Sequence, residues 1–179
     1  LRHATASSIW VLWPIFLKEE IGLSFFQIGT VLATNAITQF FAMYFLMDRI
    51  PPRKSIGIGL ILTSMATLSF IIVGSYPMFL ATQVLLGLSW ANLFVGSLRS
   101  MLNKNEERAS AAGLLNSSTS LSGLIGPMLA LAMVELFPSI PYEGPMLLCA
   151  ISSFIAFGYY YIVGMKRVQL SEKRDLPSQ

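Results

Sequence analysis

Asp48-Arg49-Ile50-Pro51-Pro52-Arg53-Lys54 is a short basic stretch, broken by two prolines, between two long apolar runs. Adjacent prolines remove two backbone donors and fix two φ angles, so a helix ending near Met47 cannot continue through Pro51 and Pro52. The chain has to turn here. Four charged side chains in seven residues cannot sit in hydrocarbon, where each costs roughly 2.5–3.5 kcal/mol on insertion scales. The turn therefore lies in water, and its net positive charge assigns it to the cytoplasmic face of a membrane.

Composition says the same of the whole chain. Of 179 residues, 54% are hydrophobic and 12% charged, too few charges to cover the surface of a water-soluble domain. The apolar residues fall in blocks near the ~20 residues that a helix needs to cross about 30 Å of hydrocarbon. The expectation is an all-α, multi-pass membrane protein of the cell membrane. Its six transmembrane helices are expected at about 4–21, 26–47, 55–74, 77–102, 108–137 and 144–164, a bundle spanning 1–165, with a cytoplasmic polar tail over 166–179.

Local signals punctuate these runs. The first holds Trp10, Trp13 and Pro14 and ends at Lys18-Glu19-Glu20. Ser24-Phe25-Phe26-Gln27 has the Ser-x-x-Gln form of a capping box, which predicts a helix start after a short link. Gly74-Ser75-Tyr76-Pro77 is uncharged and tight, so helices three and four are expected as antiparallel neighbours. Glu106 and Glu107 suit the start of helix five, and Pro138 and Pro141 end it. Tyr159, Tyr160 and Tyr161 read as an interfacial anchor ahead of the charged tail.

Charge tests this topology independently of hydropathy. With six spans, the N-terminus, the loops after helices two and four, and the tail share one side and hold every Lys and Arg except Lys18. Glu19, Glu20, Glu135 and Glu143 lie opposite. Both termini are therefore expected in the cytoplasm.

Several function classes are excluded. The lone cysteine, Cys149, lies in an apolar run and leaves no disulfide or cysteine metal site within the chain. The lone histidine, His3, is terminal, which removes His-paired metal motifs and Ser-His or Cys-His catalysis. Asp48 and Asp175 are wrongly placed for an intramembrane aspartyl protease. No enzyme, cofactor or metal is expected. Asn-Pro-Ala half-helices and acidic rings are absent, which speaks against a channel. The basic residues follow the membrane's inner face and form no stripe with aromatics, so they suit anionic lipid heads and not nucleic acid. A non-transporting scaffold or receptor stays open on these grounds. The chain opens at Leu1 without a methionine and enters an apolar run at once, which reads as a fragment or a cut at a domain boundary.

Asp48, Arg49, Arg53 and the adjoining Lys54 resemble the Gly-x-x-x-Asp-Arg/Lys-x-Gly-Arg/Lys-Arg/Lys pattern between helices two and three of major facilitator superfamily transporters. Tyr44, Pro51 and Pro52 stand where that family has Gly, Gly and a basic residue. Gly22-Leu23-Ser24 with Gln27-Ile28-Gly29, then Gly87, then Gly123-Leu124-Ile125-Gly126-Pro127 resemble family positions in helices two, four and five. Together they cover most of the chain. The resemblance implies one half of a major facilitator fold, two inverted three-helix repeats. It also implies half of a secondary active transporter that moves a small solute by alternating access. Gln83 stands where N-terminal halves commonly carry an arginine, and no seventh span follows the tail, so the half expected is the C-terminal one. Its partners would be a small-molecule substrate, the missing six-helix half or a second copy, membrane lipids and, if transport is coupled, a proton or ion.

The resemblance also implies residue roles. Asp48 would pair with Arg99 or Arg108 in a gating hinge with Arg49, Arg53 and Lys54; a merely solvated loop is the plainer alternative. Gly87, Gly123, Gly126 and Pro127 would serve helix packing. Met128-Leu129-Ala130 lacks the glycines of an antiporter signature, so antiport has no support. In this family helices one and four line the cavity, which favours Trp10, Trp13, Trp90 and Asn92, with Asn35, Gln39, Gln83 and Asn116 as further polar candidates; for any single one, interhelical packing is the favoured explanation. No Asp, Glu, Lys or Arg is expected at mid-membrane. A titrating carboxylate is expected in the other half or at the rim, as at Glu135.

Overall fold

The computed structural model describes residues 2–46, 49–103 and 106–175. Regular structure among them is helical throughout: α1 (Arg2–Glu19), α2 (Phe25–Leu46), α3 (Pro52–Ile72), α4 (Tyr76–Leu102), α5 (Arg108–Leu136) and α6 (Glu143–Asp175). Most bounds fall within a few residues of those expected. The exception is α6, which continues through Asp175, so the charged residues from Lys166 begin as an extension of the helix.

The boundaries have local causes. Ser24 and Gln27 form the reciprocal capping box: Ser24 N–H donates to Gln27 Oε1 at 2.9 Å and Gln27 N–H to Ser24 Oγ at 3.3 Å. The link before it turns at Gly22, whose φ of +74° suits glycine. Pro51 is extended (φ −56°, ψ 138°) and Pro52 opens α3, where its missing N–H costs nothing. Pro77 does the same in the first turn of α4.

Five helices, α2 to α6, are long and apolar enough to cross a membrane. The expected first span is not among them, because Arg2, Lys18 and Glu19 charge both ends of its 18 residues.

Packing departs from chain order. α3 lies most closely on α4; α2 also packs on α4, α5 packs on α1, and α6 packs on α3 and α1. The α3–α4 seam is close because glycines sit at its crossing points. A Cβ on Gly59 would lie 2.9 Å from both Leu93 N and Ser89 O, and one on Gly96 2.9 Å from Pro52 O. Only a bare Cα fits there. Hydroxyls then bond across the narrow gap: Ser55 Oγ reaches Asn92 Oδ1 (2.9 Å), and Ser89 Oγ donates to Gly59 O (2.9 Å). Gly87 lets α4 approach Asn35 and Thr38 of α2, and Gly126 lets α5 approach Ser7 and Ser8 of α1.

α1 stands apart from this seam. Its Cα atoms nowhere come within 8 Å of those of α3 or α4 among the described residues. At the end away from the hinge, large aromatics fill the gap. Trp13 lies 4.2 Å from Phe70 and 5.8 Å from Phe79 between ring centroids, and Phe16 touches Phe79 and Tyr142. The Tyr142 hydroxyl donates to Glu19 at 3.3 Å; burial, then this carboxylate, pushes its phenol above the usual range, so it stays a donor at neutral pH. Toward mid-depth the gap is hollow.

Candidate functional site

The hollow has a volume of about 130 Å³, room for more than one water or for a small solute. α1 supplies Arg2, His3, Ala6, Ile9, Trp10 and Trp13, residues at helical spacing along one face. α2 adds Asn35 and Gln39, α3 adds Thr67 and Phe70, and α4 adds Leu86 and Trp90. A second hollow of about 210 Å³ shares Arg2, His3 and Trp90 and runs on past Leu93, Phe94 and Ser97. These three residues are thus the wall between two cavities stacked along α4.

Trp10, Trp13, Asn35, Gln39 and Trp90, all expected in a cavity, line the first one. Trp13 is 1% exposed and its indole N–H has no partner. The Gln39 amide donates to Asn35 Oδ1, and Asn35 Nδ2 to the Gln83 carbonyl at 3.4 Å. Three other candidates lie outside its lining. Asn92 faces the α3–α4 seam, where Ser55 donates to it and its own amide donates to Leu88 O (2.9 Å). Gln83 is wholly buried one step beyond the cavity, its side-chain amide without a partner. Asn116 is on the exposed face of α5.

Arg2 and His3 were missed. Arg2 Nη2 donates to Thr63 Oγ1 at 2.6 Å, and its guanidinium lies 5.9 Å from the Trp90 ring centre. His3 stacks on the same ring at 4.7 Å. Thr63 and Trp90 lie midway along α3 and α4, so Arg2, grouped with the cytoplasmic loops by the charge argument, sits level with the middle of two helices able to span a membrane. Thr63 is bound into the seam: its hydroxyl accepts from Arg2 and lies within hydrogen-bond distance of Gly59 O (2.8 Å) and of Ser89 Oγ (2.5 Å), its one proton going to one of these two. Among the described residues, no Asp or Glu lines either cavity.

At the hinge, Asp48 lies outside the described residues. Arg99 reaches back from α4 to donate to Ile50 O at 3.0 Å. Arg49, Arg53, Lys54 and Arg108 are exposed, as is Glu135 near the end of α5. Gly123 and Pro127 are exposed too, and a Cβ on Gly123 would meet open space; neither packs helices within this chain as Gly87 and Gly126 do.

A family model for the Major Facilitator Superfamily matches residues 1–177. Neither the curated proteins nor the solved structures include a match to the chain.

Proposed function

Because the chain belongs to the major facilitator superfamily, a family of multi-pass membrane transporters, we propose that it is the C-terminal six-helix half of a secondary transporter. It works by alternating access, with the solute held against Trp10, Trp13, Asn35, Gln39 and Trp90. The observation that carries this reading is the cavity itself: α1 stands off from the α3–α4 seam at mid-depth, and the gap is lined by aromatic rings and amides. A scaffold protein gains nothing from such a void, which forfeits packing on all its walls.

The swapped packing supports two inverted three-helix repeats. α2 crosses to α4 over Gly87, and α5 crosses back to α1 over Gly126, as expected if α1–α3 and α4–α6 are related units. The basic hinge and the polar tail face the cytoplasm, and the bond from Arg99 to the Ile50 carbonyl supports a hinge that ties α4 to the turn before α3. Asp48, by its position in the hinge, strengthens that tie in one state of the cycle. The second six-helix half, or another copy, packs along the outward face of α5, where Gly113, Asn116, Ser117, Ser118 and Ser120 are exposed on a helix long and apolar enough to span the membrane. Lipid covers what remains.

Alternating access can be tested before the solute is known. In a Cys149→Ser background, Gln39→Cys in membranes holding the assembled protein should react with a membrane-impermeant thiol reagent from either face, in right-side-out and in inverted vesicles. The vesicles should carry no ion conductance. Reaction from one face only, or from neither, would overturn the proposal, and a steady conductance would replace it with a channel.

A further inference from the structure

The cavity's polar atoms share one chemical character. Arg2 brings a guanidinium whose Nε is enclosed and has no partner, and Trp13 brings a buried indole N–H that is also unpaired. The remaining amides, Asn35 and Gln39, already bond to each other. No carboxylate lines the space, and among the described residues none pairs with Arg2. Thr63 Oγ1 is neutral, and the Trp90 face, at 5.9 Å, offers only a partial offset. A cation level with the middle of two membrane-spanning helices is costly without a counter-charge. Among the described residues, half of an ion pair is present without the other half.

We propose that the cavity binds small organic anions, a carboxylate on an apolar or aromatic body, with Arg2 as the counter-charge. The inference assigns a charge to the solute of the proposed transporter and so rests on that reading. The carboxylate takes its hydrogen bonds from the guanidinium of Arg2, and charge-assisted bonds of this kind are about twice as strong as neutral ones; Trp13, whose indole N–H is enclosed, serves as a wall of the site. The body lies among Ile9, Trp10, Phe70 and Leu86. Thr63 holds the guanidinium against the α3–α4 seam, so its position is set before the anion arrives. Cations are rejected by the same charge, although the aromatic rings alone would have suited them.

The test uses three probes of one shape: benzoate, benzamide and benzylammonium. Binding to the purified full chain in detergent is read from tryptophan fluorescence, since Trp10, Trp13 and Trp90 all line the site. Benzoate should quench saturably and the other two should not. Arg2→Gln should weaken benzoate binding roughly tenfold or more, Arg2→Lys should restore part of it, and Trp13→Phe, which keeps a ring, should weaken it less than Arg2→Gln. Benzamide binding as tightly as benzoate, or Arg2→Gln leaving benzoate affinity unchanged in a protein of normal thermal stability, overturns the inference. The two proposals fail separately. Benzoate binding without two-sided access at Gln39→Cys removes the transporter and keeps the anion site; two-sided access without benzoate selectivity does the reverse.

Discussion

The α3–α4 seam and the outward face of α5 are built from the same small and polar residue types, and they have opposite fates. In the seam, Gly59 and Gly96 put backbone against side chain and backbone, and Ser55, Thr63, Ser89 and Asn92 are buried and bonded across it. On α5, Gly113, Gly123, Asn116, Ser117 and Ser118 are exposed. There, Ser122 donates to the Ser118 carbonyl of its own helix and Thr119 to Asn116 O, and among the described residues neither bonds to another helix. Small polar residues on a membrane helix signal that something comes close; they do not say what. In the seam the neighbour is another helix of this chain.

The largest expected effect comes from putting bulk at matched glycines. Gly59→Leu forces a side chain into Leu93 N and Ser89 O, backbone that cannot step aside, and should cost about 3 kcal/mol or more. The protein should then be recovered as aggregate on size-exclusion chromatography in detergent. Gly123→Leu, with open space around it, should leave the monodisperse peak in place; if both variants elute alike, the contrast between the two regions is wrong.

Within α5 the same contrast can be sharpened. Gly126→Leu meets Ser7 and Ser8 of α1 and should lower the melting temperature by several degrees, while Gly113→Leu should not. Under the half-transporter proposal, Gly113→Leu and Gly123→Leu should instead weaken association with the second half, measured by co-purification. The smallest expected difference is between two asparagines. Asn92→Ala removes bonds across the seam and should cost about 0.6–1.7 kcal/mol, the range found for hydrogen bonds between membrane helices. Asn116→Ala should stay within about 0.5 kcal/mol, as surface changes do, and thermal denaturation of the two variants side by side checks the ordering.

Much of this was legible beforehand. Pro51, Pro52 and the charges around them mark a turn without reference to any other part of the chain, and Ser24 with Gln27 marks the start of α2. Trp10, Trp13 and Trp90 were found by asking which helices line a cavity. Asn92 was misplaced by the same question, because two residues along a helix is a turn of about 200°, so Trp90 and Asn92 face opposite ways. Arg2 and His3 were lost to segmentation by hydropathy, which treats charge near an end as loop. Their spacing from Ala6, Ile9, Trp10 and Trp13 on one helical face was the signal that could have found them.

Hydropathy and proline placement alone determined that this chain is a bundle of apolar helices and where each helix turns, because inside a bilayer every helix must satisfy its own backbone hydrogen bonds within its own segment. Which glycines serve as crossing points, which polar residues are glue, and that Arg2 borders a cavity with no carboxylate partner among the described residues were decided only by the tertiary structure. Those depend on how near one helix comes to another, a distance set by all six helices together and recorded in none of them singly.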